Sequence, residues 1–127
     1  MIKHWEEFAF GPRDPSRELH VTLNRKGEIV IGAAAVERFG RPGYATLLFD
    51  SGNSLIGLAP TGRVGNAYPL VEKKGAKHRV VRAKRFCRHH GIEVSRTVAF
   101  HKPEIDEDGI LVLNITKTRV IGKPGAK

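Results

Sequence analysis

Leu19-His-Val-Thr-Leu-Asn24 alternates apolar and polar side chains, Arg25-Lys26-Gly27 supplies a turn, and Glu28-Ile-Val-Ile31 runs back. A link that short permits only antiparallel pairing, because parallel neighbours need a crossover of about a dozen residues or more. The predicted product is a β-hairpin with one buried face. The same device recurs. Tyr44 to Asp50 and Leu55 to Leu58 flank the turn residues Ser51-Gly52-Asn53. Ala67 to Val71 reads as extended, Lys74-Gly75 turns, and Arg79 to Arg82 returns. Ser95 to Phe100 is strand-like, Asp106-Glu107-Asp108-Gly109 turns, and Ile110 to Ile115 is the strongest strand pattern in the chain.

Two segments change period. Ala33 to Phe39 places Ala35, Val36 and Phe39 at helical spacing, with Gly40 and Pro42 as stop signals. Ala83 to His90 puts Ala83, Phe86, Cys87 and His90 on one side of a second short helix, ended by Gly91. Each half therefore reads as hairpin, helix, hairpin. The expected fold is α+β, two pseudo-repeated halves forming a mainly antiparallel sheet or barrel with two short helices. Its core is expected to contain Leu23, Ile31, Phe39, Phe49, Phe86 and Leu113.

A chain of 127 residues fits a single domain with a core of its own. Its expected parts are an N-terminal arm at 1–18 carrying Trp5, Phe8 and Phe10, a first half at 19–60, a linker at 61–66, a second half at 67–115 and a frayed tail at 116–127. Early charges argue against a secretory leader, and no apolar run approaches the ~20 residues of a membrane span, so no membrane partner is expected. Cys87 is the sole cysteine, which excludes an intrachain disulfide and points to a reducing cytoplasm.

Net charge is +9, and its distribution matters more than its size. Up to Pro60, basic and acidic residues balance; the whole excess lies after it. It is densest between Lys73 and Gly91, where Lys73, Lys74, Lys77, Arg79, Arg82, Lys84, Arg85 and Arg88 are interrupted by no acid. Val80, Val81 and Phe86 are the large apolar residues of that run, a pattern suited to a hairpin arm and a helix with one inward and one charged face. Solvated helices usually mix signs to gain i, i+4 pairs; like charges repel until a partner neutralises them. The partner such a surface attracts is a polyanion, DNA or RNA, or else an acidic protein.

Other chemistries fit less well. Cys87, His89, His90, His78 and His101 include one thiol and no recognised zinc spacing, so core packing is the expected role of Cys87 and no cofactor is expected. Glu104, Asp106, Glu107 and Asp108 lack the ligand alternation of a calcium loop and suit a charged turn. Ser51, Ser54 and Ser95 lie in no nucleophile elbow, and Gly40-Arg-Pro-Gly43 and Gly62-Arg-Val-Gly65 match no phosphate loop. The expectation is a non-enzymatic protein.

From Val21 to Pro60, the run Val-Thr-Leu-Asn-Arg-Lys-Gly-Glu-Ile-Val-Ile-Gly, a short helix ending Phe39-Gly40, then Tyr44 to Asp50 and Leu55 to Leu58 resembles the AbrB/SpoVT family of swapped-hairpin DNA-binding domains. The resemblance implies two interlocked copies, here the two halves of one polypeptide. Glu28, Gly32, Val36 and Glu37 depart from the family pattern, which has a basic residue, a proline and helix arginines there. The arrangement of the whole chain is also similar to small bacterial or mobile-element proteins, a similarity that implies no activity. Together these readings predict a small basic nucleic-acid-binding or regulatory protein that contacts phosphates through the hairpin-helix surface at 73–88. The alternative is an inhibitor or complex subunit docking that face on an acidic partner.

Overall fold

The computed structural model describes Lys3 and residues 19–73 and 75–121. The aromatic residues expected in the N-terminal arm, Lys74 and the last residues of the tail lie outside that range. Among the described residues eleven strands and two helices follow in the order β1 (Val21–Leu23), β2 (Glu28–Ile31), α1 (Ala33–Arg38), β3 (Tyr44–Asp50), β4 (Leu55–Thr61), β5 (Tyr68–Pro69), β6 (Val71–Glu72), β7 (Arg79–Arg82), α2 (Lys84–His89), β8 (Val98–Phe100), β9 (Glu104–Ile105), β10 (Leu111–Asn114) and β11 (Thr118–Val120). No helix among the described residues is long and apolar enough to cross a membrane.

The first hairpin forms as its turn chemistry dictates. Asn24 Oδ1 accepts from the Lys26 and Glu28 amides at 2.9 and 3.1 Å, and Gly27 takes φ +79°, the left-handed conformation that closes a bulged hairpin. Asp106 repeats the arrangement between β9 and β10, accepting from the Asp108 and Ile110 amides at 2.9 Å, with Gly109 at φ +80°. That carboxylate therefore serves its own turn. Asp50 organises the β3–β4 turn through Asn53, whose side chain and amide both donate to it, and these bonds hold its carboxyl below the usual carboxylate range.

Two antiparallel sheets result. One runs β11-β8-β1-β2-β7-β6 and the other β5-β3-β4-β10-β9; where one sheet or a barrel is expected, the strands divide between two antiparallel sheets that do not close. The chain changes sheet at Leu70, which is buried and donates its amide to Gly43 O at 2.9 Å. Alternation then decides which side chains face inward. Val21, Leu23, Ile29, Ile31 and Val81 from the first sheet share one cluster with Ile56, Leu58, Leu111 and Leu113 from the second. Burying each Leu or Ile contributes about 1.5–3 kcal/mol. Of the six expected core residues, five are buried, and Phe49 packs on the cluster from a partly exposed position.

The two halves meet strand to strand. β2 pairs with β7, Val30 opposite Val80, and β4 pairs with β10, Gly57 opposite Val112. Both helices are shorter than expected by a residue or two, because Phe39 and the pair Ala83 and His90 act as caps. Thr118–Val120, expected in a frayed tail, instead pairs with β8 as an edge strand.

Candidate nucleic-acid interface

β7 carries the basic run out of the core. Val80 and Val81 are buried while Arg82 is exposed, and the chain then turns directly into α2. Phe86 and Cys87 anchor that helix inward, which leaves Lys84, Arg85, Arg88 and His89 exposed. His90 closes the inner side, its ring 4.3 Å from Phe49 and 4.8 Å from Phe86, and the His89 ring meets it edge-on at 4.7 Å. A six-residue helix has little stability of its own, so this aromatic packing is what holds the charged face in place.

The eight basic residues that stand out in the sequence do not form one patch. Arg82, Lys84, Arg85 and Arg88 cluster at the C-terminal end of β7 and on α2. Lys73 and Lys77 lie exposed on the β6–β7 connection at the opposite end of β7, roughly 10 Å away by strand rise. Lys74 lies outside the described residues. Arg79 is half-buried and engaged by its own chain, donating to Lys77 O at 3.2 Å and His78 O at 3.5 Å with Glu72 Oε1 at 3.9 Å. It braces the hairpin.

Charge neutralisation within the α2 group is slight. Among the described residues, Arg82, Lys84, Arg85 and Arg88 have no ion pair or side-chain hydrogen bond. Glu28 is the Cα partner of Arg82 and points to the same side of the sheet, but its carboxylate accepts from Asn24 Nδ2 at 3.0 Å and reaches no arginine within ion-pair distance. Glu37 on α1 pairs instead with Arg41, just beyond the end of that helix.

The first half also contributes to this surface. The Ala83 amide donates to Gly27 O at 2.8 Å, and a methyl group placed on Gly27 would lie 2.6 Å from Lys84 Cα. The β1–β2 turn is thus pressed against the start of α2, which brings exposed Arg25 and Lys26 beside Lys84. The sequence marks that turn but carries no signal for its long-range contact. The turn therefore adds Arg25 and Lys26 to the exposed cations that start at Arg82 and continue along α2, with Glu28 opposite Arg82 in the sheet.

Among the described residues no group of three or more His, Cys, Asp and Glu side chains is placed to hold a metal ion. Cys87 is buried, and burial pushes its thiol up from the ordinary range. Comparison with family models, curated proteins and solved structures finds no match.

Proposed function

We propose that the protein binds nucleic acid through the α2 face, the positive side chains meeting successive phosphates. The observation that carries this reading is the crowding of Arg82, Lys84, Arg85 and Arg88 with Arg25 and Lys26 on an exposed surface where their charges are left without ion pairs. Phosphates relieve that repulsion and release counterions, so affinity falls steeply as salt rises. Contacts of this type position a protein on a strand without reading bases. Lys73 and Lys77, at the other end of β7, stand apart from this surface.

The two halves are an old internal duplication in this reading. Support comes from the antiparallel pairing of like strands, β2 with β7 and β4 with β10, each strand preceding or ending the corresponding unit. An AbrB-like ancestry accounts for that arrangement, with the DNA-facing role transferred to the second half, since Glu28 and Glu37 occupy positions that carry positive charge in that family. A lone buried thiol suits the cytoplasm, and the setting is a bacterium or its mobile elements.

Gel-shift titration with random duplex and single-stranded DNA and RNA tests the assignment. Retention at low salt, lost as salt rises and abolished in Arg82→Ala/Arg85→Ala/Arg88→Ala with folding intact, is the expected outcome. Indifference to every nucleic acid together with co-purification of one acidic protein would overturn it.

A further inference from the structure

At the N-terminal end of β1, the end opposite the turn that meets α2, a cleft of about 1140 Å³ opens between α1, the β8–β9 connection and β11. Four cations from separate parts of the chain border it: Arg38 on α1, Lys102 after β8, Lys117 before β11 and Arg119 on β11. His20 and His101 add two exposed rings, and Glu104 is the one carboxylate in the lining among the described residues. Among the described residues none of the four cations has an ion pair or side-chain hydrogen bond. Below the rim the floor is apolar, formed by Leu19, Phe100 and Pro103.

The backbone supports a purpose for this arrangement. Lys102 stands at φ 47° directly before Pro103. A side-chain-bearing residue in the left-handed region costs of order 1–3 kcal/mol, and a following proline disfavours helical backbone further. Conformations of that kind persist where surrounding structure enforces them, and here the enforced lysine lies at the mouth of the cleft.

We infer that this cleft is a second binding site, distinct from the α2 face, and that its ligand is a nucleotide phosphate ester, free or within a strand. Converging cations match phosphate oxygens, exposed histidine rings offer surfaces on which a base can stack, and the apolar floor accepts the remaining flat surface. A free anion such as sulfate would use the rim and leave the floor wet. Because its residues are different and lie at the other end of β1, the site stands or falls independently of the α2 assignment.

Backbone amide NMR of the full chain tests it, with adenosine 5′-monophosphate and a 5′-phosphorylated oligothymidylate of about eight nucleotides as separate probes. Saturable shifts at His101, Lys102 and Arg119 are expected from at least one. Shifts from the mononucleotide identify a free ligand, and shifts from the oligomer alone identify a strand. Lys102→Gly combined with Arg119→Ala should weaken binding at least about tenfold, and the glycine relieves the strained φ, so the fold is retained. Arg38→Ala with Lys117→Ala is a second variant that leaves the strained position untouched and should weaken binding likewise. Arg82→Ala/Arg85→Ala/Arg88→Ala should leave the cleft shifts unchanged. Absence of shifts with both probes, or wild-type affinity in both cleft variants, would overturn the inference.

Discussion

Gly27 lies against Lys84 so closely that a β-carbon on the glycine would fall 2.6 Å from the lysine Cα. That approach joins the turn of the first hairpin to the start of the basic helix. It also sets a steric test.

Gly27→Ala must adopt φ near +79° and displace backbone of α2, not the tip of a flexible side chain. The two effects together should cost about 2–4 kcal/mol in urea unfolding. Gly91→Ala is the control: φ is +67° there, but a β-carbon meets nothing within 4 Å, so about 1–2 kcal/mol is expected. Equal destabilisation at the two positions would show that the turn does not press on α2.

Arg25→Ala/Lys26→Ala should fold normally, since both side chains are exposed. If these residues share the α2 surface, the slope of log affinity against log salt for duplex DNA should fall by about 2, near 0.9 for each phosphate that is no longer neutralised. An unchanged slope would separate the turn from the binding surface.

The limits of the sequence are visible in these residues. β2, β3 and β7 are legible to the residue, because alternation and turn chemistry act within a few positions. Sheet order is not: pairing of β2 with β7 and β8 with β1 depends on which apolar faces collapse together, a choice made between segments distant in sequence. The same limit applies to the site. Arg82, Lys84, Arg85 and Arg88 are consecutive enough to be seen as one face, whereas Arg25 and Lys26 join them through folding alone. Arg79 is equivalent to its neighbours in sequence, but it stands opposite Ile31 at the rim of the core and turns its guanidinium toward its own backbone and Glu72.

Cys87 gives stability a signed dependence on pH. Burial raises its folded-state pKa, so the folded protein retains the thiol proton where the unfolded chain has begun to lose it. Its contribution is fully present below the ordinary thiol range and is lost as pH rises toward the folded value. The urea midpoint of the wild type should therefore drop more between about pH 8 and about pH 10 than that of Cys87→Ala. Parallel behaviour of the two would place the thiol in contact with solvent.

Asp50 titrates in the opposite sense. Its lowered pKa comes first from the Asn53 side chain and then from the Asn53 amide, so the stabilisation it gives exists above the ordinary carboxylate range and disappears as pH falls through the depressed value. Asn53→Ala should shift the Asp50 carboxyl resonance titration upward by NMR. A titration curve that does not move would assign the depression to the backbone donors alone.

The central claim is that the α2 face neutralises phosphates, and a salt titration of duplex binding by the wild type and Arg82→Ala/Arg85→Ala/Arg88→Ala tests it most directly. The predicted result is a steep linear fall of log affinity with log salt for the wild type, and a slope shallower by about 2.7 in the folded variant. Equal slopes for the two proteins, or no binding by the wild type at low salt, would contradict it.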